Sequence, residues 1–215
     1  MNGLDSLEVL NVRHWTPTTF SFSCERPVNF RFRSGEFVMI GLIVDNKPLL
    51  RAYSIASPNW HDEFEFYSIK VEDGPLTSRL QNLKKGDKVV FRNKPVGTLV
   101  NDALLQGKRL LLFSTGTGIA PFTSIIRDPE TYEKFDEIIL FQTCRYLNEL
   151  DFGKATIEDI FKDELLGQLV KDKLKFIPTT TREPSQYFGR ITDWLNSKKF
   201  YEIVGSDLTL QRIEL

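Results

Sequence analysis

The chain has 215 residues, 41% of them hydrophobic and 27% charged, and a formal net charge of −1. That length holds one large or two modest domains. A near-neutral balance without any block of like charge gives no basis for nucleic-acid binding. No apolar run reaches membrane-spanning length, and residues 1–5 lack the layout of a secretory signal.

Two cysteines, Cys24 and Cys144, are too few for a four-cysteine iron–sulfur or zinc site, and they point to a reduced, cytoplasmic protein. His14 and His61 stand in no ligand pattern and read as surface residues. No metal site is expected.

The first ninety or so residues read as β. Residues 7–15 alternate around Val9 and Val12, and Phe20 and Phe22 alternate with Ser21 and Ser23. Residues 36–44 form an apolar run, and residues 63–71 set Phe64, Phe66 and Ser68 against Glu65, Tyr67 and Ile69. Pro27, Ser34-Gly35, Asn46-Lys47-Pro48 and Pro58-Asn59 punctuate these runs, as in an antiparallel barrel or sandwich. Residues 74–83 read as one short helix and residues 87–91 as a further strand.

Within this half, Arg51-Ala52-Tyr53-Ser54-Ile55-Ala56-Ser57 combines a cation, an aromatic ring and two hydroxyls. As a strand it puts Arg51, Tyr53, Ile55 and Ser57 on one face and Ala52, Ser54 and Ala56 on the other. An anion partner beside a flat ring suits a ligand with a phosphate and a planar ring system, such as a flavin nucleotide. An ordinary edge strand with an exposed arginine has the same look.

From about residue 101 strands and helices alternate, which predicts a parallel α/β sheet. Strands are expected at residues 109–113, 137–143 and 173–178. Helices are expected at residues 120–126, 156–169 and 191–196, the second burying Ile157, Ile160, Phe161, Leu165 and Leu169. The boundary falls at residues 95–101, giving domains 1–99 and 100–215.

Ser114-Thr115-Gly116-Thr117-Gly118-Ile119-Ala120-Pro121 follows the first of these strands directly. Glycines allow a tight turn and close backbone approach, and Pro121 suits a first helical turn. The spacing G-x-G-x-x-P lacks the third glycine of the dinucleotide fingerprint. Arg145, Arg182 and Arg190 lie beyond the second and third strands, where ligands of open α/β sheets bind, and arginines there could read the 2′-phosphate of NADP.

Four of these motifs carry a resemblance. Residues 51–57, Gly74-Pro75-Leu76-Thr77-Ser78-Arg79-Leu80, residues 115–121 and Thr181-Arg182-Glu183-Pro184 occur in this order in bacterial-type ferredoxin (flavodoxin)–NADP reductases. The similarity runs from about residue 9 to residue 193.

The resemblance implies an N-terminal antiparallel β-barrel holding FAD and a C-terminal α/β domain holding NADP. It puts Arg51 and Ala52 at the FAD, with Arg51 on the pyrophosphate, Tyr53 against the isoalloxazine and Ser54 near its N5 edge. Tyr67, Ser68, Ile69 and Lys70 would support the cofactor. Gly74, Leu76, Thr77 and Ser78 would close over the pyrophosphate, although Thr77 and Ser78 could instead be simple helix caps. Thr115, Gly116, Thr117 and Gly118 would face the nicotinamide end, and Arg145, Thr181, Arg182 and Arg190 the 2′-phosphate end.

The implied activity is electron transfer between NADP(H) and a ferredoxin or flavodoxin, by hydride transfer to the flavin and one-electron steps to the carrier. No nucleophile or general base is required. The protein is expected to be a monomer that binds neither nucleic acid nor membrane. A different acceptor, such as free flavin or a quinone, and a catalytically impaired flavin-binding protein are the alternatives.

The chain departs from the family after Gly189-Arg190-Ile191-Thr192-Asp193. Family members add a strand ending in a Cys-Gly loop, a further helix and a tail near the flavin; nothing here resembles them. The second domain is therefore expected to be shortened, with an unpaired sheet edge and uncovered apolar surface. Leu208, Leu210 and Ile213 would form a short strand or an amphipathic turn.

Overall fold

The computed structural model describes residues 3–205. The expectation for Leu208, Leu210 and Ile213 lies outside them.

The first half is an antiparallel sheet of six strands: β1 (Asp5–His14), β2 (Thr19–Glu25), β3 (Phe37–Val44), β4 (Lys47–Ser54), β5 (Glu63–Ile69) and β6 (Lys88–Phe91), in the order β4-β3-β6-β1-β2-β5. Alternation makes the core: Phe20, Phe22, Phe64 and Phe66 turn inward and join Val38, Ile40 and Phe91. The hairpin between β3 and β4 turns on Asp45 and Asn46, both left-handed (φ 49° and 59°). A two-residue turn of that hand matches strand twist and fixes the register. It sets Arg51 opposite Ile40 and Tyr53 opposite Val38.

The sheet curls until its two edge strands meet. Tyr53 on β4 and Ser68 on β5 join hydroxyls at 2.9 Å, and just beyond, the Ala56 amide donates to the Glu65 carbonyl at 2.7 Å. The expected barrel is present, with its seam between β4 and β5.

The second half is a parallel sheet, β7 (Gly107–Thr115), β8 (Phe135–Cys144) and β9 (Leu174–Thr180), with β8 central. Its strands read as nearly unbroken apolar runs because both faces are covered. One face packs Leu110, Leu112, Ile138 and Leu140 against α2 (Ala120–Ile125), α3 (Pro129–Lys134), α4 (Asp151–Lys162) and α5 (Leu166–Val170). On the other, Phe141 and Ile177 meet Phe200 and Val204 of α7 (Lys198–Val204), which follows α6 (Ile191–Leu195). Among the described residues β7 has no neighbour on its outer edge, as expected. The expectation of bare apolar surface does not hold on this second face, because α7 covers it.

Three expectations change. The helix over residues 156–169 is two helices. Asp163 is extended, and its carboxylate accepts from the Leu165 and Leu166 amides to start α5 afresh. Within α4, Ile157 and Ile160 are buried and Phe161 is exposed, and past the break, which resets the helical phase, Leu165 and Leu169 are exposed. The helix over residues 74–83 shortens to α1 (Thr77–Leu80), capped by Leu76 without a side-chain bond, so Thr77 and Ser78 are not its caps. The strand through residues 51–57 ends at Ser54, so Ile55 and Ser57 do not share an open face with Arg51; both are buried.

Candidate functional site: two joined clefts at the barrel seam

The barrel seam carries a cleft of about 400 Å³. One wall is Arg51, Ala52, Tyr53 and Ser54 of β4 with Tyr67, Ser68 and Ile69 of β5 and Thr77 at the start of α1. The other wall is Thr117, Gly118, Ala120 and Pro121 from the second half. The ring of Tyr53 stands edge-on to Phe66, with centroids 6.3 Å apart, leaving its remaining surface toward the cleft. Burial raises the Tyr53 pKa, against the lowering effects of the Ser68 hydrogen bond and the nearby Arg51 charge. Its hydroxyl therefore stays protonated at neutral pH.

A second cleft, about 600 Å³, opens at the carboxyl ends of the parallel strands. Thr115, Gly116 and Thr117 line it from the β7 loop, Thr143, Cys144 and Arg145 from β8, and Thr181 and Arg190 from beyond β9. Gly116 is left-handed (φ +51°), and a Cβ on it or on Gly118 would meet nothing within 4 Å. The glycines thus leave open space where side chains would intrude, which suits close backbone approach to a ligand. Pro121 occupies the first turn of α2, as its missing N–H allows.

The arginines are positioned by backbone pairing between loops. The Arg182 amide donates to the Arg145 carbonyl at 3.0 Å, continuing the β8–β9 ladder past its end. Arg145 and Arg190 face the large cleft; Arg182 opens on an adjoining depression with Tyr146, Leu147 and Pro184. The Glu149 carboxylate accepts from the Arg145 and Tyr146 amides at 2.8 and 3.2 Å, which holds this turn in place.

Tyr67, Ile69 and Thr117 belong to both clefts. Tyr67 lies on the outer face of the barrel yet is buried, because Phe152 of α4 stacks on it with centroids 4.0 Å apart and planes 8° apart. Burial pushes its pKa up to about 12, against the lowering effect of its Thr19 hydrogen bond. The Cys144 thiol is likewise pushed up to about 12, by burial and then by Glu149. Both shifts favour the protonated, uncharged forms of these two side chains.

Of the residues expected at the site, Lys70 turns away, its ammonium donating to the Thr16 carbonyl at 3.2 Å. The Leu76 side chain joins the barrel core. Gly74 forms the tight turn before α1, where a Cβ would come within 2.2 Å of the Thr77 hydroxyl. Ser78 contributes its carbonyl to Gln81 and Asn82. Thr19, Thr143, Glu149 and Thr192 also line the large cleft, and Phe152 backs Tyr67, although none of them stands in the sequence motifs. Thr143 and Glu149 had a usable signal, since one ends the second parallel strand and the other follows it in a turn.

The sequence and the fold match known proteins. The family described as Oxidoreductase FAD-binding domain matches residues 11–100. A flavodoxin/ferredoxin–NADP reductase of Rhodobacter capsulatus is 60% identical over 94% of this chain and 75% of its own length. A ferredoxin–NADP reductase of Azotobacter vinelandii is 51% identical over 95% of this chain and 80% of its own. Among solved structures, a ferredoxin NADP+ reductase from Neisseria gonorrhoeae with bound FAD and NADP superposes with a TM-score of 0.85 at 29% identity, over 97% of this chain and 82% of that one. This chain belongs to the ferredoxin/flavodoxin–NADP reductase family.

Proposed function

We propose that this protein passes electrons between NADP(H) and a ferredoxin or flavodoxin, using FAD held at the barrel seam. The observation that carries the reading is the pair of clefts sharing Tyr67, Ile69 and Thr117, which brings a ligand in one against a ligand in the other. FAD, when bound, supplies the exchange between a two-electron nicotinamide and a one-electron carrier.

The residues fit that group. Tyr53 offers a ring for the isoalloxazine beside Ser54, and Arg51 a charge for the pyrophosphate. Ala52, Tyr67, Ser68, Ile69 and Thr77 complete the wall, while Lys70, Gly74, Leu76 and Ser78 serve through backbone or as support. Thr115, Gly116, Thr117 and Gly118 receive the nicotinamide end. Arg145 and Arg190, with Thr181 and the adjoining Arg182, hold the 2′-phosphate. Stacked walls exclude water and fix the mutual orientation of the two ligands, which is this chain's part in catalysis.

The division between halves lies at residues 99 and 100 in this reading. Val96 still bridges to Phe37, whereas Asn101 already bonds to Thr131 at 2.9 Å. The protein acts as a monomer in this reading. Two buried free thiols accord with a reducing cytoplasm. No helix among the described residues is long and apolar enough to cross a membrane.

The test is reduction of cytochrome c by NADPH and the purified yellow protein. Dependence on added ferredoxin or flavodoxin is expected; reduction of free flavin or quinone with no carrier dependence would reject the partner assignment.

A further inference from the structure

The two walls of the FAD cleft come from different halves of the chain, so something must set their spacing. Two residues past Ser54 the backbone turns inward, and the carbonyls of Ala56 and Ser57 meet side chains of the second half. The Thr123 hydroxyl, whose shorter bond is to the Ala120 carbonyl of its own turn at 2.8 Å, lies 3.2 Å from the Ala56 carbonyl, and Ser124 Oγ donates to the Ser57 carbonyl at 2.7 Å. Arg127 Nη2 donates to the same Ala56 carbonyl at 2.5 Å and to the Glu65 carboxylate at 2.8 Å. Arg127 Nε returns to the Thr123 carbonyl at 3.0 Å.

These contacts lie one short step behind the cleft on three of the segments that form it. Ala56 follows Ser54 by two residues, Thr123 follows Pro121 by two, and Glu65 precedes Tyr67 by two. Thr123, Ser124, Ala56 and Ser57 are buried, and Ser57 Oγ also accepts from the Glu65 amide at 3.1 Å. A guanidinium that serves two acceptors on separate segments holds both at a fixed separation, because its donors form a rigid planar fork. Close-packed surroundings carry a displacement of this junction directly into the two walls.

We propose that Arg127, seconded by Ser124, is a positioning residue that sets the distance between the Tyr53–Ser54 wall and the Thr117–Pro121 wall. Arg127 lines neither of the two clefts. Its part in the reaction rests on the function proposed above; its part in the geometry does not.

The experiment compares FAD-loaded wild-type protein with Arg127→Lys, Arg127→Gln and Ser124→Ala at a temperature well below unfolding. Two quantities are read: the limiting rate and NADPH affinity of flavin reduction in stopped flow, and amide hydrogen exchange of residues 115–121, which Arg127 does not contact. Misplacement on the order of 1 Å costs about 100-fold in rate. Arg127→Gln is therefore expected to slow the limiting rate about 10- to 100-fold with NADPH affinity changed less than about threefold, and to speed exchange in residues 115–121. Arg127→Lys, which keeps the charge but not the fork, is expected to recover part of both. Should Arg127→Gln fail to fold, Arg127→Lys and Ser124→Ala carry the same test.

Variants that lower thermal stability while leaving both rate and exchange at wild-type values would overturn the proposal. If wild-type protein is not reduced by NADPH, the functional reading fails, and the exchange data alone then decide the positioning role.

Discussion

Tyr53 and Ser68 join the two free edges of the N-terminal sheet by a 2.9 Å hydrogen bond in the wall of the smaller cleft. The same bond therefore helps close the barrel and holds the ring proposed to meet the flavin. Tyr53→Phe removes the bond but keeps the ring. It should lower stability by about 0.5–1.5 kcal/mol, with little change in FAD content. Tyr53→Ala removes both and should also speed FAD dissociation. Thermal unfolding and flavin release on dilution check the pair.

Gly116 and Gly118 make a sharper contrast. Both have open space where a Cβ would go, but only Gly116 is left-handed. Gly116→Ala should cost about 1–2 kcal/mol of backbone strain, and weaken NADPH binding as the loop shifts. Gly118→Ala should leave stability unchanged and weaken NADPH binding by intrusion alone. FAD content is expected to stay at the wild-type level in both, as measured by absorbance per protein.

Arg145, just past β8, and Arg190, at the start of α6, face the same cleft. A charge-assisted hydrogen bond contributes about 1.5–3 kcal/mol. Arg145→Ala and Arg190→Ala should each raise the NADPH KM on the order of 10- to 100-fold while leaving the NADH KM nearly constant. Equal losses for both nucleotides in steady-state assays would remove these arginines from the 2′-phosphate.

Glu137 governs a pH response outside the site. Burial pushes its pKa up, but hydrogen bonds from Lys175 and Arg109 outweigh this and hold it below its ordinary value of 4.5. A carboxylate depressed in the folded state adds stability above its unfolded pKa and loses it as pH falls through its folded one. Glu137→Gln should therefore be less stable than wild type at neutral pH, with the difference closing in acid below that range. Urea melts across pH check this.

The barrel was legible because its strands alternate: Phe20 and Phe22, or Phe64 and Phe66, declare an inner face that the structure keeps. The parallel strands were legible for the opposite reason, as unbroken apolar runs. What escaped depended on contacts distant in sequence or on a change of phase. The partner of Tyr67 is Phe152, and no local pattern announces that stack. The break at Asp163 turns Leu165 outward although the apolar spacing runs straight through it. The helix α3 had a local signal, an Asp128 cap before Pro129, which reads as a breaker unless the cap is weighed with it. Arg51, Tyr53, Ser54 and Thr77 line a cleft wall, whereas Leu76 and Lys70 show how a motif position can serve structure instead.

The account depends most on the two clefts acting as one site for FAD and NADPH. Anaerobic titration of the purified protein with NADPH, followed by flavin absorbance, tests this most directly. The account predicts a yellow protein whose flavin band bleaches stoichiometrically with NADPH and far more slowly with equimolar NADH. A colourless protein, or a bound flavin that dithionite bleaches but NADPH does not, would contradict it.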